Sequence, residues 1–296
     1  MKDCLGLKVL MGVVLFFCLA VTANASERQV LVFVGDKEPE FTNEPITNQG
    51  RTLVEMRPIM DALDLNVTWE PNEQKIGIEG NGVSVQLSVG SQQARINGAV
   101  HSIDVPPQVR DGRTLVPLRF ISEATGMDVS WSNEAHIAHI HEGELPVVDT
   151  TVASTKDEIW QEAKRGEIGP FSQEDREKTL AEIVHNYGMP DARHDGTPES
   201  DDTPFVVYGD FDIEFNGTAA EVRDREWHHY LSQGEVTGIR GRVGNQGSIE
   251  EWAAQYGSYE DSMFGLQQKY FYSVGGYQMT LYEGYTGDIF SYSVGR

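Results

Sequence analysis

The sequence predicts an α+β fold dominated by antiparallel sheet, and three observations lead there. Short alternating apolar runs are separated by turn residues, a 20-residue motif is used twice, and a looser helix-and-strand unit repeats in the C-terminal half. The 296 residues make about two domains' worth of chain. The 23 basic and 46 acidic residues give a net charge of −23, which excludes a non-specific nucleic-acid binder, because phosphate attraction needs clustered cations. The same charge disfavours an anionic membrane surface. With 39% hydrophobic, 23% charged and 9% aromatic residues, the composition is that of a globular protein, not a disordered one.

The N-terminus reads as a targeting segment. Lys2 and Lys8 precede or flank an uncharged apolar run from Val9 to Val21, and Ala23-Asn24-Ala25 supplies the small-x-small pattern of a cleavage site. Thirteen residues are short for a bilayer, which a helix crosses in about 20. The expectation is a signal peptide at 1–25 and an exported, extracytoplasmic protein with no membrane association after cleavage; an uncleaved anchor is the other reading. Cys18 follows Leu15-Phe16-Phe17, which lacks the small residues of a lipoprotein box. Cys4 and Cys18 both fall inside this segment, so the mature chain has no disulfide, thiolate nucleophile or cysteine metal site.

From residue 26 to 142 the organising feature is repetition. Setting Gly50–Trp69 against Gly112–Trp131, an offset of 62, gives ten identities in twenty, among them Gly-Arg-Thr-Leu-Val, Arg57/Arg119, Val67/Val129 and Trp69/Trp131. Each copy predicts a short helix. Pro58 or Pro117 sits near the first turn; Met56, Ile59, Met60 and Leu63, or Leu118, Ile121 and Thr125, recur at helical spacing, and Gly126 stops the second copy. A strand then carries Trp69 or Trp131. Alternating runs at Val30–Val34, Lys75–Glu79, Val83–Val89, Gln93–Asn97, Val100–Val105 and Ile137–His141 complete a sheet-rich module with two short helices.

Gly-Arg-Thr-Leu-Val-Pro-Leu-Arg-Phe-Ile-Ser-Glu-Ala at 112–124, followed by Val129-Ser130-Trp131, resembles the copper amine oxidase N-terminal-like, or stalk, domain of many secreted proteins of Gram-positive bacteria. The resemblance spans about residues 29–142 and implies a small antiparallel sheet wrapped on a helix, here as two related halves. It implies neither copper nor a cofactor, because the module is non-catalytic. In the oxidases the quinone-forming tyrosine lies in Asn-Tyr-Asp/Glu, whereas the Asn-Tyr here, Asn186-Tyr187, precedes Gly188, so amine oxidase activity is rejected.

All eleven tyrosines lie at or beyond Tyr187, which places a boundary in the Gly-, Pro- and Thr/Ser-containing stretch 143–154, read as a linker. Beyond it, Ser154 or Thr155 caps a helix with Asp157 and Glu158 in its first turn, Ile159, Trp160 and Ala163 on its apolar face, and Gly166 at its end. Thr179–Gly188 and Ser248–Gly257 are helical patterns stopped by Gly after Tyr. Each precedes a strand pair, Phe205–Tyr208 with Phe211–Phe215 or Tyr270–Val274 with Tyr277–Tyr282, and a closing strand, Val236–Val243 or Asp288–Val294. Residues 155–296 therefore read as a tandem helix-strand-strand-strand module. Its order resembles the domain of unknown function of YjgB-like secreted Bacillus proteins, and its layout resembles the β-lactamase-inhibitor-protein-like fold.

Three groups of residues are candidates for function. His139 and His141 project to one face of a strand, a geometry that suits an imidazole metal pair, against which stands a polar edge face. Tyr270 and Tyr272 share a strand face, with Tyr277, Tyr282 and Tyr285 near; exposed, they would stack on sugar rings or a partner protein, and buried they would be core. Trp227 and Tyr230 flank His228-His229 in an insertion that the second repeat lacks. The acidic run Glu199, Asp201 and Asp202 lacks calcium-loop spacing, and no metalloprotease, nucleophile-elbow, phosphate-loop or dinucleotide motif is present. The reading is a non-catalytic scaffold or cell-envelope module joined to a binding module for cell-wall glycan or an extracellular protein, with a hydrolase or metal-dependent site at Trp227–Tyr230 as the alternative.

Overall fold

A computed structural model describes residues 28–195, 203–215, 234–264, 267–284 and 286–295. The N-terminal stretch read as a targeting signal, the acidic run, the stretch Trp227–Tyr230 read as an insertion, and Tyr285 lie outside the described residues. The fold is α+β, mostly antiparallel sheet with short helices.

The first module is two-fold symmetric down to its backbone. Strands β1 (Leu31–Val34), β2 (Ile46–Asn48) and β3 (Arg51–Glu55) lead into helix α1 (Met56–Ala62), then β4 (Asn66–Glu70) and β5 (Lys75–Gly80). After β6 (Val83–Ser88), β7 (Gln93–Ile96) and β8 (Ala99–Ser102) the series recurs: β9 (Gln108–Arg110), β10 (Arg113–Pro117), α2 (Leu118–Ala124), β11 (Asp128–Ser132) and β12 (Ile137–His141). Every repeated strand and helix starts 62 positions after its counterpart. β3 and β10 pair antiparallel at the centre of the four-stranded sheet β2-β3-β10-β9, with Val116 opposite Val54, so the pseudo-two-fold axis passes between two equivalent valines. The tight turns before them match as well: Gln49-Gly50 and Asp111-Gly112 have φ of 50° and 72°, and 48° and 74°, the double left-handed geometry of a two-residue hairpin.

The symmetry breaks at the next layer, for a topological reason. β5 is flanked by β4 and β6 in the sheet β4-β5-β6-β7-β8, whereas its counterpart β12 is flanked by β11 and by β1, which arrives from the N-terminus and runs parallel to it. β12 is therefore buried on both faces. Ala138 and Ile140, with Val32 and Val34 of β1, enter the module's own core, while Ile137, Leu31 and Phe33 enter the core of the C-terminal half. The stretch 143–154 is irregular yet packed: the Pro146 carbonyl lies where a Gly188 side chain would be, Thr150 closes over Gly209, and Val152 and Ala153 join the larger core.

Helix α3 (Lys156–Arg165) starts at Thr155, which with Glu158 forms a reciprocal capping box, and stops at Gly166 with φ of 73°. A small hairpin follows, β13 (Glu167–Ile168) and β14 (Phe171–Ser172). Helix α4 (Leu180–Tyr187), capped by Thr179, precedes β15 (Ala192–His194), β16 (Phe205–Tyr208), β17 (Phe211–Phe215) and β18 (Val236–Arg242). Helix α5 (Ile249–Tyr256) precedes β19 (Glu260–Phe264), β20 (Gln267–Val274), β21 (Tyr277–Glu283) and β22 (Ile289–Gly295). These strands form one eight-stranded sheet, β15-β16-β17-β18-β22-β21-β20-β19, in which the last strands of the two series pair antiparallel. Among the described residues each series thus holds four strands, one more than the sequence predicts. The added ones, β15 and β19, are the sheet's edges. One face of the sheet, carrying Phe211, Ile213, Phe215, Tyr272 and Tyr292, packs against Ile159, Ile183 and Trp252 of the three helices.

Candidate functional site

Two recesses of about 530 and 540 Å³ lie in the first module, and each is built from both repeats. The first takes Gly50-Arg51-Thr52 from the β2–β3 hairpin, and Leu118, Arg119 and Trp131 from α2 and β11. The second takes Gly112-Arg113-Thr114 from the β9–β10 hairpin, and Met56, Arg57 and Trp69 from α1 and β4. Every residue lining the first groove except Asn133 has its counterpart, 62 positions away, lining the second. The pairs extend to Glu123 with Asp61, Thr47 with Val109, Asp104 with Thr42, and Ser102 with Glu40.

The sequence places these side chains for identifiable reasons. The left-handed turn residues fold each Gly-Arg-Thr back over the sheet. Each helix begins directly after its central strand, so its second residue, Arg57 or Arg119, leaves the core and is exposed. Alternation along β4 and β11 puts Val67 with Trp69 and Val129 with Trp131 on one face. Trp69 is 40% exposed and Trp131 half-buried. Arg51 Nη2 lies 2.7 Å from Asp104 Oδ2 in the first groove. In the second, Glu55 is buried and spent on structure: its carboxylate accepts from the Thr42 N–H at 3.1 Å and the Asn43 N–H at 2.7 Å. Its counterpart across the axis is Pro117.

The histidine pair meets a different fate from the one its spacing suggests. His139 and His141 do share a face of β12, with ring centroids 5.2 Å apart, but that face is an interior boundary between the two halves and not a sheet edge. His141 donates from Nδ1 to the Gly143 carbonyl and accepts at Nε2 from Ser130 Oγ, both at 2.8 Å. His139 donates from Nε2 to the Gly35 carbonyl at 2.8 Å, and its Nδ1 is buried without a partner. Burial, with His141 and His185 adding repulsion, pushes the His139 imidazole down to about 4. Among the described residues no group of three or more His, Cys, Asp or Glu is placed to hold a metal ion. The pair is thus a set of hydrogen-bonded packing residues.

The tyrosine surface is also corrected. Tyr270 and Tyr272 are 8% and 2% exposed, because they lie on the helix-covered face of the sheet. The Tyr259 ring meets both, and Trp160 approaches Tyr272 edge-on with centroids 5.5 Å apart. The Tyr270 hydroxyl donates to Glu283. Tyr277 is half-buried against the same core beneath Gly166. None of the three offers a free ring for stacking. Trp227 and Tyr230 lie outside the described residues.

A smaller recess of about 290 Å³ opens on the sheet's other face, between Arg176, Glu214, Arg240 and Tyr282. Most of its charge is spent within the fold: Arg240 pairs with Glu214 at 2.9 Å and lies 4.5 Å over the Tyr282 ring, and Arg176 donates to the carbonyls of Thr237 and Val294, while Nε of each arginine is buried without a partner. Sequence reasoning singled out the two tryptophans and the repeated arginines as copies of one unit but not as a site. The signal available was the recurrence of two exposed arginines beside each tryptophan, at positions that core packing does not require of arginine.

Residues 33–140 match the family model of the copper amine oxidase N-terminal domain, and both grooves lie within the match. That domain is non-catalytic, and a scaffold module fits this part of the chain. No curated protein matches the chain. Among the described residues no helix is long and apolar enough to cross a membrane.

Proposed function

We propose that the chain is an exported, non-catalytic protein in which a stalk-type scaffold joins a tandem helix-and-strand module, and that it binds cell-wall glycan or an extracellular protein. The observation that carries this is the pair of symmetry-related grooves. An active site gathers an acid, a base and a nucleophile at one asymmetric point, whereas here one tryptophan-and-arginine surface is built twice. The apolar run and Ala23-Asn24-Ala25 support removal of residues 1–25 and a secreted or wall-associated location. The pairing of β18 with β22, with a helix before each four-strand series, supports reading residues 155–296 as a tandem unit of the β-lactamase-inhibitor-protein-like kind, as in YjgB-like proteins. The test is twofold: sedimentation of the mature chain with purified cell wall, and recovery of whatever co-purifies with it from culture medium. Retention on wall, or a stoichiometric protein partner, supports the reading; passage through both with nothing bound refutes it.

A further inference from the structure

Each groove combines three kinds of chemistry. Trp69 or Trp131 supplies a flat apolar face, two arginines supply planar donors, and Asp61 or Glu123 supplies a carboxylate acceptor. A sugar ring offers the complement: a C–H face that packs on indole, and a rim of hydroxyls that donate to carboxylate and accept from guanidinium. Core packing accounts for only part of these side chains: Trp131 is half-buried against the module's core, and the others stand at the surface. Trp69 is 40% exposed, and Arg51, Arg57, Arg113 and Arg119 are all exposed, yet each recurs across the axis. The side chains of Arg57, Arg113 and Arg119 make no ion pair or hydrogen bond among the described residues. Charge decides between neutral and anionic ligands. The first groove sets Arg51 and Arg119 against Asp104 and Glu123; the second sets Arg57 and Arg113 against Glu40, Asp61 and the buried Glu55. Neither is net positive, and the whole chain, at −23, repels a polyanion.

We propose that the two grooves are equivalent sites for a neutral polysaccharide, each seating a sugar ring on its tryptophan, so that one chain holds two stretches of glycan. This rests on reading the chain as a binding module and adds the ligand class, the residues and the stoichiometry. Calorimetric titration of the full exported chain with chitohexaose, cellohexaose and maltohexaose tests it, with polygalacturonate as the anionic arm. At least one neutral hexasaccharide is expected to bind at two sites, and polygalacturonate at none. Trp69→Ala and Trp131→Ala are each expected to leave one site, and together none. Because Trp131 is half-buried, the exposed pair Arg57→Ala and Arg119→Ala serves as a second probe, expected to weaken binding about tenfold or more with no change in thermal midpoint. Binding that survives both tryptophan substitutions, polygalacturonate binding as tightly as the hexasaccharides, or no neutral oligosaccharide binding would each overturn it. If wall or a protein partner retains the chain while no hexasaccharide titrates, the binding-module reading stands and this one falls.

Discussion

His139 makes folding stability depend on pH in a calculable way. Its ring is fully buried between the halves, donating to the Gly35 carbonyl from one nitrogen and facing His141 and His185. Burial lowers it from an ordinary 6.5 to about 4, so as pH falls the unfolded chain takes up the proton first. The stability this histidine carries is complete above pH 6.5 and is lost as pH falls towards 4. At about 1.36 kcal/mol per pH unit of separation, the loss between pH 7 and 4.5 is about 2 kcal/mol, approaching about 3 kcal/mol below both values. His139→Gln keeps a donor for Gly35 and removes the titration. Urea unfolding of both proteins at pH 7, 6, 5 and 4.5 isolates the histidine from the carboxylates, which titrate in both. The difference in stability between wild type and variant is expected to shift by about 2 kcal/mol in favour of the variant across that range. A constant difference, or a His139 ring that titrates above pH 6 by NMR, would refute the reasoning.

Three further outcomes are expected. Gly166→Ala forces a side chain into a left-handed residue at φ 73° and sets a methyl 2.5 Å from the Tyr277 ring, so a loss of about 2 kcal/mol or more in chemical unfolding is expected. Trp252→Ala empties the largest fully buried site under the eight-stranded sheet and should cost about 3–5 kcal/mol, seen as a lowered thermal midpoint. Glu55→Ala orphans the Thr42 and Asn43 N–H groups, and a cost of about 1–3 kcal/mol with faster amide exchange at those two residues follows.

What the sequence made legible was local or internal to one chain segment. The 62-residue offset placed α1 and α2, the central Leu-Val strands and the two tryptophans, and the Thr155 box and Gly166 bounded α3. Phe211, Ile213 and Phe215 fell on one buried face as their alternation predicts. β15 was not legible because Ala192-Arg193-His194 carries no apolar alternation; it is a strand by antiparallel pairing with β16, Arg193 opposite Val206, with the buried Arg193 side chain held by the Gln29 carbonyl and Asp195. The burial of the tyrosine face was open in the sequence because period-two alternation says which residues share a face but not which face is covered. The grooves escaped notice because each is assembled from both copies: Arg51 and Trp131 line one recess although 80 positions separate them in the chain.

The placement of β1 sets the order in which this chain can finish folding. Leu31 pairs with Ile137, 106 residues later, and its side chain packs among residues later still. Among the described strands, the earliest in the chain is therefore among the last to find its seat. Closing so long a loop is entropically costly and slow, so high contact order is written into the opening residues of the described chain. Until β12 emerges, Leu31-Val-Phe-Val is an unpartnered apolar strand, and keeping it from pairing elsewhere is the main kinetic hazard of making this protein.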